Sequence, residues 1–327
     1  MNRFVCLAAA FLGAVSCASM PAVGYAQSAD KVHRVGVLTA RSNPALINGL
    51  ARSLASRGYT LGQNLRIEAG VGDGKPEHLP QAAKELVQRG IDVVVTRGYP
   101  AAAAAKQVIT AVPIVVSAAG DPVETGLAVS LSRPGGNLTG ISDMAAELSV
   151  KRLDLLKSAV PGIKRVAMLW NADDLGMTTR YKAAEAAAKA IGIAVQPLGV
   201  REPDDFEQAF AAMEREKPDG ILMVTDALTI LNRKRVFEFA ATHRIPAIYE
   251  FDFLARDGGL MSYGPDEAEN SARVAELVDR ILKGAKPGDL PFEQPTQFKF
   301  VVNLKTAKAL ALELPTALLA RADETIE

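Results

Sequence analysis

The chain has 327 residues, with 37 basic and 37 acidic side chains, no net charge, 49% hydrophobic residues and two cysteines. That length accommodates two domains of roughly 150 residues each, and the apolar content rules out wholesale disorder. The charge balance excludes nucleic acid as the main partner, and two cysteines exclude a disulfide scaffold or a multi-cysteine metal centre.

Residues 1–26 read as an export signal. Arg3 is the only charge, and the apolar run Phe4 to Val15 is short of the about 20 residues a membrane span needs. Gly24-Tyr25-Ala26 is a small-x-small cleavage site before Gln27. An uncleaved membrane anchor is one alternative; lipoprotein cleavage at Ala14-Val15-Ser16-Cys17 is another. Cys6 and Cys17 both lie in this segment, so the mature chain would carry no thiol, which suits an oxidising, periplasmic compartment. No later apolar run reaches spanning length, so a soluble body is expected.

Strand and helix patterns alternate from residue 31. Val32–Thr39 is a β-branched strand, 44–57 a helix closed by Arg57-Gly58, and Leu65–Ala69 a strand. Pro76–Arg89 is a helix stopped by Gly90. Ile91–Thr96 is apolar almost throughout, as expected of a strand covered on both faces. Ala101–Ile109 is a helix and Pro113–Ser117 another buried strand. After the turn Arg133–Asn137 the series restarts, with helices over Glu147–Val160, Asp174–Ile191, Pro203–Glu216 and Thr229–His243. Strands Lys164–Trp170, Ile193–Leu198, Asp219–Thr225 and Ile245–Glu250 alternate with them. Such alternation implies α/β architecture with open parallel sheets. A helix from Pro265 to Lys283-Gly284, a strand Phe298–Asn303 and a helix Lys305–Leu312 are too few for a third domain. They must complete the earlier sheets, so the chain crosses between domains more than once.

Catalytic motifs fail. Gly70–Lys75 resembles a phosphate loop, but a Walker loop needs Gly at 69 and Ser or Thr at 76, where the chain has Ala69 and Pro76. Leu260-Met-Ser-Tyr-Gly264 lacks the first Gly of a nucleophile elbow, and no His follows in the required order. His33, His78 and His243 are isolated, so neither a metal nor a cofactor is expected. Ligands of open α/β sheets bind at the carboxyl ends of strands. Those ends carry Thr39 and Arg41, Thr96 and Arg97, Ser117 and Asp121, Asn171 and Asp173, Thr225 and Asp226, Glu250, Ser262 and Tyr263. Hydroxyls beside helix N-termini can hold a carboxylate, and Asp121, Asp226 or Glu250 can pair an ammonium. Trp170 is either a stacking surface or plain core. The candidate ligand residues are Thr39, Arg41, Thr96, Ser117, Asp121, Asn171, Thr225, Asp226, Glu250 and Tyr263.

Gly259–Pro265, Ile281–Pro287, Asp289–Thr296 and Val301–Leu310 carry a resemblance, with Gly120-Asp-Pro122, Leu131–Gly140 and Leu319–Glu324. From about residue 31 onward the chain resembles the ABC-transporter substrate-binding proteins of the TrpX-like group. The resemblance implies a type I periplasmic binding-protein fold: two similar open parallel-sheet lobes joined by three crossovers. It places residues 31–142 plus about 264–290 in one lobe, and 143–263 plus about 291–327 in the other. It implies a monomer that delivers a small solute, an amino acid or small carboxylate, to an ABC permease and its ATPase by transient docking. Where tryptophan receptors carry Asp-Asn-Thr, this chain has Asp226-Ala227-Leu228, which separates it from them at the site. The alternatives are a sensory ligand-binding module of a membrane receptor and, more remotely, an α/β enzyme.

Overall fold

The computed structural model describes Met1 and residues 31–118 and 120–327, in two units, Met1–Lys31 and Val32–Glu327. The signal segment expected over residues 1–26 lies outside the described residues, Met1 apart. All helices and strands of the described residues belong to the second unit.

The first sheet is built from β1 (His33–Thr39), β2 (Leu65–Val71), β3 (Val93–Arg97), β4 (Ile114–Ser117) and β5 (Leu138–Ile141), linked by α1 (Pro44–Ala55), α2 (Leu79–Gln88) and α3 (Tyr99–Val108). Its strands are parallel in the order β2-β1-β3-β4-β5. Successive side chains point to opposite faces. Val35, Val37, Val93 and Val95 therefore pack against Leu46, Leu50 and Leu54 of α1, while Leu38, Val94 and Val116 pack against α2 and α3. Both faces are covered, which is why these strands read as unbroken apolar runs.

The chain then enters the second sheet through α4 (Ala145–Ala159), β6 (Arg165–Asn171), α5 (Leu175–Ala190), β7 (Ala194–Val200), α6 (Asp205–Arg215), β8 (Gly220–Met223), α7 (Ala227–Leu231), α8 (Arg233–His243), β9 (Ala247–Tyr249), α9 (Asp252–Arg256) and β10 (Met261–Pro265). After α10 (Glu267–Leu282) come β11 (Phe298–Asn303), α11 (Leu304–Ala309), α12 (Thr316–Leu319) and β12 (Glu324–Ile326). The strand order is β12-β11-β10-β9-β8-β6-β7. All pairs are parallel except β10 with β11, because the chain leaves through α10 and re-enters running the other way.

Helix α10 belongs to the first sheet. Asp266 caps it by accepting the N–H groups of Ala268 and Glu269. Its buried face, Val274, Leu277, Val278 and Ile281, packs with the α1 leucines. Burial of each such side chain is worth about 1.5–3 kcal/mol, ample to fix the helix there. The Tyr59 hydroxyl also donates to Asp279 at 2.8 Å. Glu293 still runs beside β5, exchanging backbone bonds of 2.9 Å with Gly140 and Ser142. The third passage to the second sheet therefore lies between Glu293 and Phe298.

Several elements differ from the sequence reading. The helix expected over Thr229–His243 is broken at Asn232, whose side chain donates to the Leu228 carbonyl and accepts from Arg235 Nη1, competing with the helical ladder. Strands β5 and β12 were not anticipated: runs of four and three residues carry no period.

Candidate functional site

Thr39 and Ser117 end β1 and β4, Thr96 is the penultimate residue of β3, and all three are buried. Thr39 Oγ1 donates to the Arg41 carbonyl at 2.6 Å. Arg41 itself is exposed and lies over the Gly74 turn, where an added Cβ would sit 2.7 Å from its Nη2. The Thr96 hydroxyl is buried without a hydrogen-bond partner. Asp121 is exposed and closes a turn, Oδ1 accepting the N–H groups of Val123 and Glu124 at 2.8 and 3.0 Å. Arg97 pairs with Glu267 at 2.9 Å and lies 5.3 Å over the Phe251 ring, spanning from the first sheet to the second.

On the second sheet, Asn171 Nδ2 donates to Asp226 Oδ2 at 2.6 Å. Asp226 caps α7 in a capping box with Thr229. Beside it stands Asp174, 4% exposed, the cap of α5, accepting from Gly176 and Met177 at 2.8 and 3.3 Å. Burial, and then the charge of Asp226, push the Asp174 carboxyl up to about 7 despite those two bonds. The hydroxyls of Thr225 and Ser262 are buried without partners.

Glu250 is committed to the protein. Its Oε1 accepts from Arg152 Nη1 at 3.0 Å, and its Oε2 accepts from Arg180 Nη1 at 2.9 Å and from the Thr225 N–H at 3.0 Å. Both oxygens are taken, so the ammonium partner expected at Glu250 is instead two guanidinium groups. The site requires this approach: a Cβ on Gly264 would collide with the Glu250 carbonyl oxygen. Arg152 Nε also donates to the Tyr263 carbonyl at 2.7 Å. Burial lowers the Arg152 pKa from the usual guanidinium value, opposed by Glu250. The Tyr263 ring packs on Phe298, and Trp170 stacks on Tyr181 at 3.7 Å inside the core, the core alternative for that residue.

The strand ends thus offer unpartnered hydroxyls from both sheets and an acid pair on the second. Buried polar atoms without partners are uncommon and call for a ligand or water. No group of three His, Cys, Asp or Glu among the described residues could hold a metal. A cavity of about 440 Å³ lies elsewhere, lined by Leu304, Leu312, Leu314 and Leu319 with Lys308 and Glu313.

The family model described as ABC transporter substrate binding protein matches residues 34–326. The chain belongs to this family. Over 287 residues it is 27% identical to the tyrosine-binding protein of Clostridioides difficile (strain R20291), covering 86% of this chain and 82% of that protein. It superposes with a TM-score of 0.83 on an ABC domain in complex with L-Trp from Streptococcus pneumonia, at 26% identity over 90% of this chain and 99% of that one. The ligand-free, open structure of a substrate binding protein with adhesive properties from Clostridium difficile gives 0.67, at 24% identity over 90% and 99%. The fold is the type I periplasmic binding-protein fold.

In this substrate-binding protein the sequence reading missed Asp143, Arg152, Arg180 and Asp174. A signal for the arginines existed. Arg152 lies between Leu148 and Leu156 at helical spacing, and Arg180 between Met177 and Ala184, each on the buried stripe of its helix. An arginine there must find buried acids.

Proposed function

We propose that the chain is an extracytoplasmic solute-binding protein of an ABC importer that takes up an amino acid, with an aromatic or other apolar side chain, between two lobes. The first lobe comprises residues 31 to about 143 with about 266–293, and the second about 144–265 with about 298–327. The observation that carries the reading is the pairing of unpartnered buried hydroxyls, Thr96, Thr225 and Ser262, with the acid pair Asp174 and Asp226. Hydroxyls donate to a carboxylate, and the acids receive an ammonium, so the set complements a zwitterion. The relatives named for tyrosine and bound to L-Trp support the same class. The solute leaves unchanged, handed to a permease that reads closure of the lobes, and the protein acts as a periplasmic monomer without catalysis.

The test is a thermal-shift and calorimetric screen of residues 27–327 against tryptophan, tyrosine, phenylalanine, leucine and their desamino analogues. A true solute at 100-fold excess over its Kd adds about 2.7 kcal/mol of stability. Binding by amino acids and not by the desamino acids is the expected result. Equal binding of both, or consumption of the solute, would refute it.

A further inference from the structure

Four charged side chains are buried together, alternating in sign: Arg152 on α4, Glu250 after β9, Arg180 on α5 and Asp143 after β5. The first three belong to elements of the second sheet. Asp143 is tied to the first. Its Oδ2 accepts the Gly120 N–H at 3.2 Å, and Gly120 follows β4, the neighbour of β5. The same Oδ2 accepts from Arg180 Nη2, which makes this an ion pair between the two halves. Beside it the backbones meet: a Cβ on Gly120 would lie 3.8 Å from the Cα and O of Gly176, in the first turn of α5. The remaining atoms on that side, Arg180 Nε and Asp143 Oδ1, have no other partner.

We infer that the Asp143–Arg180 pair is a latch that holds the two halves together in the absence of solute, and so sets how much of the solute's binding free energy closure consumes. This rests on the proposed uptake of solute between the halves. A carboxylate leaving a buried pair regains its hydration, which offsets much of the lost attraction. Arg180 keeps Glu250 when Asp143 departs, so opening leaves no guanidinium bare. The cluster is neutral overall, two arginines against two acids; when the latch opens, the second sheet keeps both arginines and one acid, with Glu250 bridging the two guanidinium groups. A pair whose breakage leaves the arginine a second carboxylate, and the acid free to hydrate, acts as a switch rather than a permanent strut. Asp143 and Arg180 are positioning residues here, acting on solute through closure.

The test reads the ligand-free protein. All cysteines lie in residues 1–26, so residues 27–327 take two engineered ones cleanly, at exposed Lys84 on α2 and Lys189 on α5. Spin labels there report the distance between the halves. The expected result is a closed population without solute, matching the distance with tryptophan or tyrosine added. Asp143→Asn should lower the closed-to-open ratio by about tenfold and raise the Kd in step. Arg180→Lys, which keeps a charge for Glu250 but has one nitrogen where arginine uses Nη1 and Nη2 to reach both acids, should shift the ratio in the same direction. Only the open distance in ligand-free wild type, or an unchanged ratio in both variants, overturns the latch. Because the ratio is read without solute, it stands even if no amino acid binds, an outcome that refutes the proposed solute class alone.

Discussion

Replacing Glu250 by glutamine removes one negative charge from a cluster that is less than a tenth exposed at every member. The glutamine amide would keep one acceptor oxygen but turn its NH2 toward either Arg152 or Arg180, which are themselves donor-only groups. Two guanidinium groups would then share Asp143, and only Arg180 touches it. Breaking a buried ion pair by removing one partner costs about 3–5 kcal/mol. For a chain of this size each kcal/mol moves the Tm by about 2–4 °C, so Glu250→Gln is expected to lower it by about 10 °C. Chemical denaturation of the ligand-free protein measures the loss directly. The reasoning also predicts rescue. Arg152→Met added to Glu250→Gln restores neutrality and should recover at least part of the loss, with coupling of about 1–3 kcal/mol. A loss below about 1 kcal/mol, or strict additivity of the two changes within about 0.5 kcal/mol, would refute the account of Glu250 as a structural partner of the arginines.

Thr96→Val removes a buried hydroxyl with no partner, so it should leave ligand-free stability unchanged or slightly raised while weakening solute about tenfold by calorimetry. Gly264→Ala drives a Cβ into the Glu250 carbonyl and should cost about 1–3 kcal/mol in urea denaturation; an unchanged midpoint would show that β9 and β10 yield freely. Asp174 has its carboxyl raised to about 7 from 3.8, so the folded state holds a proton that the unfolded state has lost. Its contribution is complete below about pH 4 and lost as pH rises through 7, a fall of up to about 4 kcal/mol that Asp174→Asn should flatten. Solute whose ammonium docks on Asp174 and Asp226 should bind more tightly as pH rises from 6 to 8; a flat profile would place the ammonium elsewhere.

The strands covered on both faces were legible because their chemistry is uniform along the run. Ile91–Thr96 overlaps β3 to within a residue of its end, and Pro113–Ser117 and Asp219–Thr225 contain β4 and β8. Helix α10 was legible from its ends, Pro265 with Asp266 and Glu267 at the start and Lys283-Gly284 at the close, although the helix begins at Glu267 and Asp266 is its cap. Its return to the first sheet came from the family resemblance and was hidden in its own residues, because it depends on which apolar face the α1 leucines accept. The antiparallel β10–β11 pair was equally hidden, since direction follows from where the chain re-enters rather than from any residue in either strand.

The site was half legible for a related reason. Strand-end positions could be enumerated, and Thr96, Thr225 and Ser262 among them prove to be buried hydroxyls without partners. Enumeration could not divide the acids into those that serve the protein and those that serve a ligand. That division is set by the helices. Two arginines on the buried stripes of α4 and α5 require two buried acids, and the geometry assigns them Glu250 and Asp143. Asp121 is spent on its own turn. Asp226 and Asp174 have no ion pair with a buried cation among the described residues, and the Asp174 carboxyl is raised by its burial first and by the charge of Asp226 second. A cationic group arriving there relieves both the burial cost and the repulsion between the two carboxylates. An ammonium-bearing solute therefore fits the second sheet better than a simple carboxylate, whose charge would add to the repulsion.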